Sequence, residues 1–130
     1  MTALSNYAEL KVLEVLFKNT AYSTTEAHIG YFTDTITDDS VPTEVSTNNY
    51  ARVRIDNKMG SASNGSISNT SAIEFPAASG GDHGTIVAIA IFDASSGGNM
   101  LAYGSLTSAK SIQDGDQLVL AVGNLTISID

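Results

Sequence analysis

The apolar positions near the amino end of the chain predict one helix over residues 5 to 18. Asn6 and Glu9 have the spacing of a capping box, and Asn19 is a typical residue at a helix end. The apolar residues spread over well more than a third of the helix circumference and leave a narrow polar stripe. This breadth predicts burial on two sides, the first against the chain's own sheet and the second against a neighbouring subunit or deep within the same domain. The apolar residues are Leu10, Val12, Leu13, Val15, Leu16 and Phe17.

After the helix, short apolar runs alternate with Gly, Ser, Asn and Asp, which is the pattern of strands joined by turns. The run "IVAIAIF" does not alternate, and it therefore predicts a central strand that is covered on both faces. Leu125, Ile127 and Ile129 alternate with polar residues, as in a half-buried strand. We expect strands at about residues 28–33, 50–56, 71–75, 84–93, 99–106, 117–122 and 125–129.

This order of elements predicts a mainly β fold, namely an antiparallel β-sandwich or barrel-like domain with one N-terminal α-helix packed on or beside it. A chain of 130 residues has the length of one domain, so we expect a single domain over residues 1–130. Its helix lies at about 5–18 and its β-rich part at about 28–130. The segment 57–70 is rich in Ser, Asn and Gly and is predicted to be a loop, or an arm that a partner orders.

The charge balance bears on the partners of the chain, because 14 acidic residues face only 6 basic ones. Binding to nucleic acid phosphates needs a cluster of Lys and Arg. Arg52, Arg54 and Lys58 are the only close group of bases in the sequence, and Asp56 lies among them. The same imbalance disfavours an anionic membrane surface, and no apolar run reaches the about 18 residues of a membrane span. We therefore predict neither a nucleic acid partner nor a membrane partner.

The residues that could perform chemistry are few and poorly spaced. The chain has no cysteine, which excludes disulfides and thiolate chemistry. His28 and His83 have no second ligand at a spacing typical of a metal motif, so we expect a structural or solvent-exposed role for each. Asp34, Asp38 and Asp39 lack the glycine and the closing glutamate of a calcium loop. They predict a solvated acidic loop, with a cation site as the rival interpretation.

The remaining catalytic candidates are Asp114 and Asp116 in "QDGDQ". They flank a glycine, which is a hairpin signal before it is an acid/base pair. Neither a G-x-S-x-G nucleophile motif nor a phosphate-binding glycine motif occurs in the sequence. We therefore predict no enzyme, no cofactor and no metal. A small depolymerase is the rival hypothesis, and these two aspartates are its best candidates.

The stretch "GTIVAIAIFDASSGGNMLAYGSL" resembles a signature of a family of small tailed-phage virion proteins that are commonly described as tail fibre or structural proteins. The likeness continues through "NTAYSTTEAHIGYFTD", "PTEVSTNNYARVRID", "AIEFPAAS" and "DGDQLVLAVGNLTISID", so it covers nearly the whole chain in order. In one departure, "GGDHGT" places His83 where the family pattern leads us to expect an aromatic residue, often Trp. The resemblance implies a β-rich virion part with no known chemistry.

The resemblance implies a bacteriophage virion structural protein that acts by protein–protein assembly, as a component of a tail fibre, the neck or the capsid decoration. We expect it in the virion after assembly in the host cytoplasm, as a homo-oligomer, for instance a trimer, in contact with other phage virion proteins. The candidate interface residues are Val12, Val15, Leu16, Phe92, Met100 and Tyr103.

The alternative function is a host receptor or glycan-binding module of a phage tail. In this hypothesis the loops at 34–49 and 57–70, together with Tyr22, Tyr31 and Tyr50, contact a host surface polysaccharide. Under both the structural and the receptor-binding hypothesis, the central hairpin around "DASSGGN" is expected to hold the domain together. Its glycines, Asp93 and Asn99 are expected to form the turn.

Overall fold

The computed structural model describes residues 3–23 and 26–129. Met1, Thr2, Thr24, Thr25 and Asp130, which the predicted domain includes, lie outside the described residues. The mainly β, antiparallel fold with one helix near the N-terminus is confirmed, while the single domain over 1–130 stays a prediction. The elements are β1 (Ala3–Leu4), α1 (Asn6–Phe17), β2 (His28–Phe32), β3 (Val53–Arg54), β4 (Ser66–Ser68), β5 (Ile73–Glu74), β6 (Gly84–Phe92), β7 (Met100–Ile112), β8 (Val119–Leu120) and β9 (Thr126–Ser128).

A five-stranded antiparallel sheet in the order β1-β7-β6-β2-β3 forms the centre of the fold. The hairpin of β6 and β7 supplies its longest pairing, and β2 lies on the other side of β6, with His28 opposite Phe92 and Phe32 opposite Ala88. Two ribbons, β4 with β9 and β5 with β8, complete the described strands. Because β1 and β3 remain the two edges of the sheet, the described strands form an open sheet and no closed barrel.

The central strand β6 is buried on both faces, as its non-alternating sequence predicts. On one face Ile89 and Ile91 join the larger core, which the two ribbons cover. On the opposite face Ala88, Ala90 and Phe92 join a smaller cluster. Both faces therefore gain the roughly 25 cal/mol per Å² that apolar burial contributes.

Strand β7 extends beyond the predicted range 99–106 and reaches Ile112. Its pairing with β6 contains a wide irregularity, in which residues 106–109 lie opposite Val87 alone. Such a bulge interrupts the period of two that identifies a strand in a sequence. The hydrophobic pattern therefore does not predict the part of β7 beyond residue 106.

Three predicted strands are much shorter in the structure than in the prediction. The two-residue strands β3, β5 and β8 stand in place of the predicted ranges 50–56, 71–75 and 117–122. Their apolar residues are nevertheless placed as predicted: Phe75 is fully buried, and its N–H donates to the Leu118 carbonyl at 3.0 Å outside the regular ladder. The difference arises because hydrophobic alternation reports burial, whereas strand bounds depend on continuous ladder hydrogen bonds.

The segment 57–70 is corrected from a loop to a partly paired segment, because it contains strand β4. The buried Asn69 side chain fastens this segment to the end of the chain. Its Oδ1 accepts from the Leu125 N–H at 3.0 Å, and its Nδ2 donates to the carbonyls of Ser71 at 2.9 Å and Ala121 at 3.0 Å. A Ser- and Asn-rich segment has no apolar pattern, so these polar bonds could not be predicted from it.

The helix α1 is capped by Ser5 rather than by the predicted Asn6. The Ala8 N–H donates to Ser5 Oγ at 3.2 Å, and the Ser5 hydroxyl donates to the Met100 carbonyl on β7. The same residue therefore starts the helix and ties it to the sheet. At the other end Asn19 adopts a φ of 54°, as its predicted place at the helix end requires.

His83 lies in the core beneath the loop that precedes β3. Its Nε2 is 2.8 Å from the Asn48 carbonyl, and its Nδ1 is hydrogen-bonded to the Tyr31 hydroxyl. A carbonyl only accepts, so Nε2 donates to Asn48, and in the neutral imidazole Nδ1 accepts from the phenol. The residue that departs from the family pattern therefore has a structural role.

Raising the pH above about 10 is expected to destabilise the protein. Burial raises the pKa of Tyr31 to about 12, whereas the same phenol ionises near pH 10 in an unfolded chain. The stability contribution is therefore fully present below about pH 10 and is lost as the pH rises towards about 12. Urea denaturation at a series of pH values measures this loss.

Tyr31→Phe is the control for this pH dependence. Burial also raises the pKa of Tyr50, so we expect the variant to weaken the alkaline loss of stability without abolishing it. An identical dependence of the unfolding free energy on pH in both proteins would contradict the assignment to Tyr31.

Candidate functional site

Helix α1 packs on the edge of the sheet with only one of its sides. Ala8 is the one residue of this fully described helix that is buried. Leu10, Leu13, Leu16 and Phe17 are exposed by 60%, 54%, 67% and 80%. The predicted deep seat within the domain is therefore wrong, and a neighbouring subunit on the second side stays a prediction.

We call Leu10, Leu13, Leu16 and Phe17 the outer strip. At about 100° per residue they fall within an arc of roughly 120°, on the side of the helix away from Ala8. Leu10, Leu13 and Phe17 have the i, i+3, i+7 spacing of residues that pack one helix against another. The outer strip therefore has the layout of a helix-packing surface.

Grooves on both sides of α1 extend this apolar surface. One groove of about 380 Å³ runs between the helix and the end of the chain, where Leu4, Leu13 and Ile129 line it together with the polar Glu9 and Ser128. The other, of about 370 Å³, lies between the helix and β7, and its lining includes Leu16 and Tyr22. Ile129 is itself 54% exposed, so the outer strip continues onto the strand end beside it.

The predicted interface residues on the helix divide between these surfaces. Val12 and Val15 line the groove towards β7, and Leu16 alone belongs to the outer strip as well. Leu10 and Leu13 were not selected from the sequence, because a helix that is apolar on most sides does not show which side its sheet covers. Their i, i+3, i+7 spacing with Phe17 was the signal available.

The predicted interface residues in the hairpin lie on the smaller core instead. Phe92 is 6% exposed and packs 6.3 Å from Phe32, measured between ring centroids. Met100 and Tyr103 are half-buried against the same cluster. The structure therefore does not bring these three residues together with the outer strip, and Phe92 has almost no surface to offer a partner.

The turn "DASSGGN" closes the β6–β7 hairpin through its first and last residues. The Asn99 N–H donates to Asp93 Oδ1 at 2.7 Å, and its Nδ2 donates to Oδ2 at 3.0 Å. These bonds hold the pKa of Asp93 below its ordinary value. Gly98 has a φ of 75°, and a Cβ there would lie 2.5 Å from Asp93 Oδ1. The predicted turn role of these residues is confirmed.

Arg52 clamps this turn to the rest of the molecule. Its Nη1 donates to the carbonyls of Ala94 at 2.9 Å and Gly97 at 2.8 Å. Its Nε and Nη2 donate to the Glu44 carboxylate, the shortest of these distances being 2.8 Å. The guanidinium also lies 3.7 Å from the centroid of the Phe92 ring. Arg52, which the sequence analysis grouped with Arg54 and Lys58 as neighbouring bases, is therefore an internal cross-link.

The clamp continues into the core through two tyrosines. The Tyr50 hydroxyl donates to the Glu44 carboxylate, and the Tyr31 N–H donates to the Tyr50 oxygen at 3.1 Å. Tyr31 is fully buried, and Tyr50 is half-buried with its hydroxyl engaged. Tyr31 therefore has no exposed ring with which to make the predicted polysaccharide contact.

The acidic candidates serve local structure. Asp116 accepts from the Gln113 N–H at 3.0 Å and closes the predicted turn, while the Asp114 N–H donates to Asp82 Oδ1 at 2.8 Å. Asp38 accepts from the Asn6 N–H at 3.3 Å, where the helix dipole favours a carboxylate. Within residues 3–23 and 26–129, no group of three or more His, Cys, Asp or Glu side chains is placed to hold a metal ion.

His28 is buried at the start of β2. Its Nε2 lies 2.7 Å from the Glu26 carboxylate, and its Nδ1 is buried without a hydrogen-bond partner. Glu26 in turn accepts from Arg54 at 2.9 Å, which makes a small surface network at this edge.

Among the described helices, none is long and apolar enough to cross a membrane.

Helix α1 thus presents an exposed apolar strip, while Arg52, Glu44 and Tyr50 are paired with one another inside the molecule. The family model described as "Podophage GP4 fiber I protein gp80" matches residues 3–128. The chain belongs to this fibre family. Its resemblance to tailed-phage virion proteins is thereby confirmed, and the fibre family makes it a phage structural protein and a component of the virion. No curated protein matches the chain.

Arg52→Met is expected to destabilise this fibre-family protein by about 3 kcal/mol, because it leaves a partly buried Glu44 without its charge partner. Arg54→Met is the matched control, since the Arg54 side chain is 46% exposed. Its loss should destabilise the protein much less than the loss of Arg52, because solvent screens an exposed ion pair. Urea denaturation measures both values, and equal losses would show that Arg52 is not a clamp.

Proposed function

We propose that the chain is a non-catalytic structural subunit of a phage tail fibre, which acts by protein–protein contact within a homo-oligomer. The outer strip is the observation that carries this proposal. Five large apolar side chains remain exposed on one twelve-residue helix, and four of them form the outer strip. A contiguous apolar patch of this kind is typical of an interaction site.

The printed description of the matched family names a fibre, which supports a tail fibre over the neck or the capsid decoration. A trimer is the expected stoichiometry. The arc of roughly 120° covered by the outer strip is broader than the seam between two helices in a coiled coil, and it suits a bundle. We further propose that the oligomer forms in the host cytoplasm and then contacts other virion proteins.

The polar groups support a non-catalytic role. The carboxylate of Glu44 is held by Arg52 and Tyr50, and Asp116 closes a turn. A catalytic acid or base must instead be free to exchange a proton with a substrate. The receptor-binding alternative has less support, because Tyr31 is buried.

The oligomeric state is tested by the solution mass of the purified protein, measured by light scattering over a series of concentrations. A discrete mass at three times the chain mass of 13.5 kDa is expected. A monomer at every concentration would overturn the homo-oligomer.

The position on the virion is tested by electron microscopy of phage particles labelled with antibodies against this protein. We expect label along the tail fibres. Label confined to the neck or to the capsid surface would contradict the fibre assignment while leaving a structural role intact.

A further inference from the structure

We infer that the outer strip of α1 is occupied by the outer strip of another copy of this chain, packed helix against helix. This inference rests on the proposed homo-oligomer and names the surface that forms it. It differs from the interface expected from the sequence, with which it shares only Leu16. Three features of the described residues support it: apolar area, charge, and the rigid attachment of the helix.

The apolar area of the outer strip comes close to that of one side of a stable interface. A standard interface buries about 800 Å² per partner, of which roughly 450 to 520 Å² is apolar. A phenylalanine 80% exposed and three leucines 54–67% exposed together offer on the order of 400 Å². Ile129, 54% exposed at the end of the adjoining groove, extends this area towards the requirement.

The charge distribution allows two copies to meet at α1. Glu9 and Glu14 balance Lys11 and Lys18, so the helix together with its C-cap residue Lys18 is electrically neutral, with Glu9 inside the arc of the outer strip and both lysines outside it. The other residues contain twelve acidic and four basic side chains, which account for the whole net charge of −8. Two copies therefore repel each other least where their helices approach.

The helix is presented in a fixed position. The Ser5 N–H donates to the Leu101 carbonyl at 2.9 Å, and the Ser5 hydroxyl donates to the Met100 carbonyl. β1 also pairs with β7 directly before the helix, with Leu4 opposite Ala102. Because α1 is anchored to the sheet, copies can pack together without ordering a flexible segment first. An identical surface on each copy is also what a closed symmetric oligomer requires.

Charge substitutions in the outer strip provide the first test. Leu13→Glu and Leu16→Glu are each expected to raise the dissociation constant of the oligomer by about 30-fold or more, as loss of an interface hot spot does. Val122→Glu is the matched control, because Val122 is 62% exposed on a turn and lines neither of the grooves beside α1. Circular dichroism establishes that each variant is folded.

Cross-linking provides a second test that does not depend on weakening the oligomer. The chain has no cysteine, so single variants Leu10→Cys, Leu13→Cys and Leu16→Cys each carry one thiol. A short bifunctional maleimide should join copies of at least one of these variants faster than copies of Val122→Cys. No excess over this control at any of the three positions would overturn the inference.

The outcomes separate this inference from the proposed function. An oligomeric wild type whose mass is unchanged by Leu13→Glu and Leu16→Glu keeps the homo-oligomer and overturns the outer strip as its interface. A monomeric wild type overturns both. An oligomeric wild type whose strip variants are folded monomers, with an unaffected Val122→Glu control, is the expected result.

Discussion

The burial of β6 on both of its faces is the constraint on which the remaining structure depends. A strand covered on both sides needs two apolar layers, and the chain supplies them with different elements. The two ribbons cover the face of Ile89 and Ile91, and the segment after β2 covers Ala88 and Ala90 through Ile36. Within the sheet, β2 and β7 pair with β6 on either side and make it the central strand.

Polar groups hold the ends of this arrangement where apolar packing stops. Arg52 joins the tip of the β6–β7 hairpin to Glu44, and Asn69 joins the segment 57–70 to the end of the chain. Each bond pairs polar groups that burial would otherwise leave without a hydrogen-bond partner. An unpaired buried group would destabilise the fold by about 1 to 3 kcal/mol. Most of the polar side chains that could perform chemistry therefore stabilise the fold instead. This use of polar groups agrees with membership of a structural fibre family.

The helix differs from these internally paired groups, because its outer strip is exposed. Its inner side is anchored through Ser5 to β7, while its outer strip has no cover within the described chain. The sheet thus carries a helix with an exposed apolar strip, whose charges balance only when its C-cap Lys18 is included, on an acidic molecule. The proposed assembly through this helix would benefit from the combination, since a surface that is already ordered pays less entropy on binding.

Local patterns in the sequence determined the helix from about residue 5, the doubly covered β6 and the turn of Asp93 to Asn99, because each depends on residues close together in the chain. The ordered series of motifs also determined the family. Tertiary structure alone decided which side of α1 remains exposed, since Leu10 and Val12 are equally apolar. It alone paired Arg52 with Glu44 and Asn69 with Leu125. These pairings depend on which distant surfaces meet on folding, and neither periodicity nor composition encodes that choice.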